Sequence, residues 1–325
     1  MEALINKIFS CNNEATFEKL ALELFHYQME NNPIYAPYAA IILKGKIPAN
    51  IYEIPFLPID FFKREQIICQ GKAIEKVFLS SGTTGEQSKH LISDLTLYKK
   101  SFRKTFQKFY GDVNDYCVLA LLPSYQEREA SSLIFMVDDL ISKSKHPKSS
   151  FYLNNLSELS ETIKELEHKG QKTILFGVTY ALLDLAEQYP QQLKNTIIME
   201  TGGMKGKRKE LLKEEIHQLL QEAFITEKIH SEYGMTELLS QGYSKGENIF
   251  NFPSWMKILI RDVNDPLSII GNNKTGGVNV IDLANIYSCP FIATQDLGKT
   301  FDNGSFTVLG RFDESDLRGC NLLVQ

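Results

Sequence analysis

Between residues 116 and 233 the chain alternates short apolar runs with longer segments of helical period, and this alternation limits the fold more than any other feature. "YCVLALLP" (116–123), "KTILFG" (172–177) and "TIIME" (196–200) are continuous apolar runs of strand length. Such runs read as buried strands. Residues 156–168 carry Leu156, Leu159, Ile163 and Leu166 at helical spacing, with Gly170 as a stop. "ALLDLAEQY" continues a second helix, and a third carries Leu212, Ile216, Leu219, Leu220 and Ala223 on one face. "ITEKIHSEYG" then supplies a further strand and turn. Strands alternating with helices predict an α/β fold whose parallel sheet is covered on both faces.

The flanks differ. Residues 14–30 predict a helix with Phe17, Leu20, Leu24 and Tyr27 on one face. After Tyr35 come Pro37, Pro48, Pro55 and Pro58, so this stretch is expected to be an extended wrapping segment. From about residue 245 the pattern becomes short strands and turns. The expected organisation is an N-terminal helix and wrapping segment over 1–70, an α/β nucleotide-binding core over 71–245, and a β-rich subdomain over 246–325.

Composition excludes several classes. A net charge of −5 leaves no basic footprint for nucleic acid. No apolar run approaches the ~20 residues needed to span a bilayer, so no transmembrane segment is expected. The start of the chain shows no basic stretch followed by an apolar one, so no secretory signal is read. The five cysteines are scattered without Cys-x-x-Cys spacing, which argues against a zinc site or a disulfide framework. A reduced, cytoplasmic protein is expected.

The candidate chemistry begins at "EKVFLSSGTTGEQSKHLIS" (75–93). Glycines let backbone approach a ligand, and free N–H groups with hydroxyls bind phosphate. The loop matches neither the P-loop nor the dinucleotide fingerprint. Ligands in parallel sheets sit beyond the carboxyl ends of the strands. Three loops are expected there: Ser80–Lys89, Thr201–Gly206 ("TGGMKG") and Ser231–Glu237 ("SEYGMTE"). Together they offer what a nucleoside triphosphate needs: phosphate donors, flat glycine backbone, an aromatic face at Tyr233, a hydroxyl at Thr236, and a carboxylate at Glu237 for Mg²⁺.

With "TQDLG" (294–298) and "GRFD" (310–313), these motifs resemble, in order, those of the adenylate-forming superfamily. The likeness runs from about residue 53 to residue 325. Within that group "FLPIDFFK" (56–63), "LPSYQERE" (122–129), "ETGGMKG" (200–206) and "RGCN" (318–321) resemble the LuxE-type fatty acyl-protein synthetases. The resemblance implies the N-terminal domain of an adenylate-forming enzyme, with parallel sheets covered by helices and a short distorted β-region at the carboxyl end. It implies an AMP-forming ligase that uses ATP and Mg²⁺ to activate a carboxylic acid, a fatty acid above all, and then hands the acyl group to a thiol. By resemblance Ser80, Ser81, Gly82, Thr83, Thr84 and Gly85 hold the β- and γ-phosphates. Gly202, Gly203 and Met204 border the adenine, and Tyr233, Gly234 and Met235 complete its pocket. Thr236 binds the α-phosphate, Glu237 the Mg²⁺, and Asp296, helped by Arg311, the ribose. Tyr125 and His230 are candidates beside the acyl carboxylate. Cys320 is the candidate acyl acceptor, because a cysteine near the carboxyl terminus takes the acyl group in that family.

Some positions depart from the superfamily pattern. Glu86-Gln87-Ser88-Lys89 replaces the usual x-Pro-Lys, which displaces Lys89 by one residue. "TQD" stands where many relatives have Thr-Gly-Asp. The stretch after Arg311 is too short for the mobile carboxy-terminal domain and its lysine. Partners implied are an acyl-acceptor or reductase protein. Two other readings stay open: an AMP-forming acyl-CoA ligase, and a nucleotide-binding subunit without turnover.

Overall fold

The computed structural model describes residues 1–81, 86–122, 129–153, 155–202 and 211–312. These divide between two compact units. The first holds 1–74, 91–93 and the chain from residue 254; the second holds 75–90 and 94–253.

The first unit opens with helices α1 (Glu2–Phe9) and α2 (Glu14–Asn31). The Asn13 side chain caps α2 by accepting from the Thr16 N–H at 2.9 Å, the N-cap role asparagine fills well. Phe17, Leu20, Leu24 and Phe25 form its buried face. The proline-rich stretch departs from the extended expectation, because α3 (Tyr35–Leu43) forms inside it. Pro37 lies in the first turn, where a missing N–H has no intrahelical partner to lose. Asn32 supplies the start, accepting from Ile34 and Tyr35 N–H groups at 3.1 and 3.0 Å. A left-handed Lys44 and Gly45 end the helix. Beyond it the chain runs through turns and a 3-10 turn at Ile51–Glu53 to the two-residue β1 (Leu57–Pro58) and the short α4 (Phe61–Arg64), so only a small part of the stretch is extended.

The second unit begins with β2 (Lys76–Leu79) and the first two residues of β3 (Lys89–Ile92), followed by α5 (Leu95–Tyr110). Then come β4 (Cys117–Leu121), α6 (Ser132–Ser144), β5 (Ser150–Phe151), α7 (Leu156–His168) and β6 (Thr173–Gly177). The unit continues with α8 (Thr179–Gln188), β7 (Thr196–Glu200), α9 (Lys213–Phe224) and β8 (His230–Tyr233), and ends with β9 (Gly242–Ser244) and β10 (Phe250–Asn251). Within the unit the strand order is β10-β9-β8-β7-β6-β4-β5. The neighbours from β5 to β8 pair in parallel, while β9 and β10 add antiparallel.

The alternating residues of the buried strands explain this sheet. Leu119, Leu121, Leu175 and Ile198 join Leu159, Ile163, Leu182, Leu185, Ile216, Leu220 and Phe224 in one core beneath α7, α8 and α9. The intervening strand residues face the other way, where α6 packs on β4. Each such side chain contributes about 1.5–3 kcal/mol of burial. On α9 the expected apolar face is narrower than the sequence suggests, since Leu212 and Leu219 are exposed and His217 takes an inward position.

The rest of the first unit is β11 (Met256–Arg261), β12 (Ile269–Ile270), β13 (Thr275–Asp282), β14 (Phe291–Thr300) and β15 (Phe306–Arg311). They form an antiparallel array in the order β12-β11-β13-β14-β15, with β1 added in parallel to β14. Bulges break the register at Gly277/Asn279 and Leu297/Gly298. Gln28 of α2 and Asn32 just after it donate to the Ile286 and Ser288 carbonyls at 2.6 and 2.8 Å, which ties the amino-terminal helices to this array.

Candidate active site

Two of the three expected loops emerge side by side at the carboxyl ends of parallel neighbours, after β7 and after β8. The hydroxyl loop does not follow a strand of that sheet. It joins β2 to β3, which form a separate two-stranded sheet. β2 is only partly buried, whereas β4 and β6 of the main sheet are buried throughout.

The neck of the hydroxyl loop is closed by its own polar groups. Ser80 N–H donates to the Ser88 carbonyl at 3.0 Å, and Ser88 N–H donates to Ser80 Oγ at 3.0 Å. Gln87 Nε2 donates to the Ser80 carbonyl at 2.7 Å. The Ser80 oxygen is thus used in holding the neck, and its O–H proton is left to donate. Ser81 is exposed beside it. Gly82, Thr83, Thr84 and Gly85 lie outside the described residues. Lys89 is exposed at the start of β3.

A residue the sequence reading passed over links this loop to the Tyr-Gly-Met-Thr-Glu turn. His90 is fully buried, and its Nδ1 lies 2.7 Å from the Thr236 carbonyl. A carbonyl can only accept, so Nδ1 carries the proton in this contact. Thr236 is half-buried, Gly234 is exposed, Met235 is half-buried, and Glu237 is buried at 4% exposure. Tyr233 is buried with its ring edge-on to Phe250 and Phe252, at centroid distances of 5.9 and 6.3 Å. A Cβ at Gly234 would stand 2.3 Å from Glu232 Oε1, so a larger residue there requires that carboxyl to move. Burial, and then the Glu200 carboxylate, push the Glu232 carboxyl up to about 8.

Glu200, the last residue of β7, organises the glycine turn. Its carboxylate accepts from the Gly202 N–H at 2.8 Å, from the Thr179 hydroxyl, and from the Ser231 hydroxyl at 3.3 Å. Lys213 Nζ lies 3.0 Å away. Burial raises the carboxyl of Glu200, but Lys213 and the Thr179 hydroxyl outweigh it, so the group stays below the ordinary carboxylate range. His217 Nε2 is 3.3 Å from Ser231 Oγ; burial and then Lys213 lower its pKa, which keeps the ring neutral. Gly202 has φ +76°, a conformation that selects glycine. Its carbonyl accepts from Thr179 N–H at 3.1 Å. Gly203 and Met204 lie outside the described residues. Glu200 opens the motif "ETGGMKG", but its role shows only once Thr179, Ser231 and Lys213 are brought to it.

His230 is half-buried, with Nδ1 3.1 Å from the Tyr110 hydroxyl. Burial, then Lys245 and Lys228, lower its pKa to about 4. Tyr125 and Cys320 lie outside the described residues. In the first unit, Asp296 on β14 is buried at 5% exposure, and Arg311 on β15 sits opposite it with Nε 3.2 Å from Oδ1. Among the described residues no group of three or more His, Cys, Asp or Glu side chains could hold a metal. Glu237 offers one buried carboxylate; Mg²⁺ ordinarily keeps several waters and takes further oxygens from phosphates.

A family model described as acyl-protein synthetase, LuxE, matches residues 9–325. No curated protein matches the sequence. Among solved structures, ATP-bound MatB from Rhodopseudomonas palustris superposes with a TM-score of 0.56 at 15% identity, covering 73% of this chain and 48% of that one. A 2-hydroxyisobutyryl-CoA ligase in complex with 2-HIB-AMP and CoA gives a TM-score of 0.67 at 12% identity, covering 94% of this chain and 70% of that one. At these identities the likeness is one of fold, the adenylate-forming fold. The chain spans about half the length of MatB.

Proposed function

We propose that this chain, which belongs to the LuxE acyl-protein synthetase family, activates a carboxylic acid as its acyl-adenylate and passes the acyl group to a thiol. The substrate class is a fatty acid. A carboxylate oxygen attacks the α-phosphorus of ATP, the bond to the bridging oxygen breaks, and pyrophosphate leaves. A thiolate then attacks the acyl carbon, and AMP departs with the carboxylate oxygen it gained.

One observation carries this reading: His90 fastens the exit of the hydroxyl loop to the Thr236 carbonyl. The contact supports a single constellation made of the hydroxyl loop and the Thr-Glu turn. Positioning and charge neutralisation are the main needs of such a displacement. In this reading Ser80, Ser81 and the following Gly82–Gly85 donate to the β- and γ-phosphates. The Thr236 hydroxyl donates to the α-phosphate, and Glu237 holds Mg²⁺, which neutralises charge on the phosphates. Gly202, Gly203 and Met204 border the adenine, with Tyr233, Gly234 and Met235 beside it. Asp296, braced by Arg311, takes the ribose hydroxyls. Lys89, Tyr125 and His230 are assigned to the phosphate tail and the acyl carboxylate, and Cys320 to the acceptor thiol.

The test is pyrophosphate release with ATP, Mg²⁺ and a panel of fatty acids, followed by intact-mass spectrometry. Acid-dependent release and an acyl adduct that neutral hydroxylamine removes, absent from Cys320→Ser, support the full reading. Release with no adduct, but with acyl-CoA formed when coenzyme A is added, moves the acceptor to coenzyme A. No release by the folded protein overturns the enzymatic reading.

A further inference from the structure

The first unit contains a cleft of about 1230 Å³ that none of the expected nucleotide residues lines. Its walls are the stretch from Tyr38 to Asp60 and the segments around Arg261, Leu267 and Thr294. Burial alternates along β14. Ala293 and Gln295 are half-buried, while Thr294 and Asp296 are buried. Successive side chains point to opposite faces, so Ala293 and Gln295 face the cleft from the side of the strand opposite Asp296.

The cleft combines an apolar wall with one cation. Ile42, Ile47, Ile54, Val263 and Leu267 line it, and Ile47 and Leu267 are 73% and 60% exposed at its rim. Exposed apolar surface gathered around a concavity marks a binding site. Arg261 also lines it. Its Nη1 donates to the Val278 carbonyl at 2.8 Å and to Asn279 Oδ1 at 2.9 Å, and its Nη2 donates to the Thr294 carbonyl at 2.5 Å. These acceptors are neutral. The guanidinium is therefore held in place without a carboxylate partner among the described residues. Asp296, whose charge reaches it, is ion-paired to Arg311. The Asp60 carboxylate on the cleft wall is taken by Lys63 and Gln295, and those of Glu53 and Asp262 accept from their own loops.

The backbone is shaped around this cation. A Cβ at Gly277 would stand 2.5 Å from Arg261 Cζ and 2.8 Å from Nη2, so a larger residue there would have to push the guanidinium off its acceptors. The Phe312 ring lies against it, its centroid 5.5 Å from Cζ. Of the five guanidinium N–H groups, three make the bonds named above. The remaining donors suit a carboxylate.

We propose that this cleft binds a chain carboxylate, its alkyl part along the Ile42–Ile54 and Val263–Leu267 walls and its head group on Arg261. The inference does not rest on adenylation, because binding here requires neither nucleotide nor turnover.

The test is photolabelling without nucleotide, using a diazirine-bearing fatty acid, with labelled peptides mapped by mass spectrometry. Label should fall on peptides spanning residues 42–60 and 261–269. Myristate should compete for it at least tenfold better than its methyl ester. Arg261→Gln should weaken binding about tenfold to a hundredfold, the loss expected for a hydrogen bond to a charged group. Arg261→Lys should fall between, keeping the charge and losing the fork. Should Arg261→Gln fail to fold, Ile47→Asp carries the test, since that rim side chain is exposed and its change should still reduce labelling. Label confined to residues 75–253, label spread evenly over the surface, equal competition by the ester, or unchanged labelling in folded Ile47→Asp overturns the proposal.

Discussion

Replacing Glu200 with glutamine should destabilise the second unit by about 1.5–3 kcal/mol at pH 7. The contacts divide between the two oxygens. Oε1 accepts from Thr179 and Gly202, and Oε2 accepts from Ser231 and faces Lys213. Glutamine can keep its carbonyl toward Thr179 and Gly202. Its amide nitrogen must then meet Lys213 Nζ, donor against donor. The lost charge-assisted bond sets the magnitude. Stranding a fully buried charge costs about 3–5 kcal/mol, but the Lys213 side chain is 30% exposed and can turn to water, so the lower range applies. The carboxyl of folded Glu200 lies below its ordinary value. The unfolded chain therefore takes up the proton first as pH falls, near about 4.3. The stabilisation is complete above that pH and is lost as pH drops through the folded value. Urea unfolding followed by circular dichroism from pH 7 to pH 3 should show the wild type losing its advantage over Glu200→Gln in the acid limb. A difference that stays constant over that range, or no difference at pH 7, would show that the Glu200 carboxylate does not carry this stabilisation.

Three other expectations follow from the geometry. Gly234→Ala should cost about 1–3 kcal/mol from overpacking against Glu232, and Glu232→Ala in the same chain should recover most of it in the same urea titration. Because burial raises the Glu232 carboxyl to about 8, the folded protein keeps a proton that the unfolded chain has lost, so its contribution to stability falls as pH rises from about 4.3 to about 8; Glu232→Gln should remove that decline, and a thermal-melt series from pH 5 to pH 9 reads it. Asp296→Ala should weaken ATP binding by about 1.5–3 kcal/mol in a calorimetric titration, and 2′,3′-dideoxy-ATP should lose a similar amount on the wild type.

Much of this fold was legible because its strands are short, apolar and buried on both faces. "TIIME" coincides with β7, and the Leu156–Leu166 spacing coincides with α7. The proline-rich stretch was harder. Proline count reads as breakage, whereas the position of Pro37 in a first turn decides that a helix forms. The candidate site divides in the same way. Motif residues such as Thr236 and Glu237 stand out as a contiguous string. His90 meets Thr236 from far along the chain, and Glu200 gathers Thr179, Ser231 and Lys213 from three separate segments, so their roles exist only after folding. The Arg261 cradle is a stronger case, since it depends on Gly277 lacking a side chain and on acceptors from two further strands.

The central claim is that this chain joins a carboxylate oxygen to the α-phosphate of ATP. A fatty acid labelled with ¹⁸O in both carboxylate positions, incubated with the protein, ATP, Mg²⁺ and hydroxylamine as acceptor, tests it directly by mass spectrometry of the released nucleotide. Acyl-adenylate formation gives AMP carrying one ¹⁸O, because the acyl C–O bond breaks while the new P–O bond survives. Unlabelled AMP, or ADP with ¹⁸O in inorganic phosphate, contradicts it.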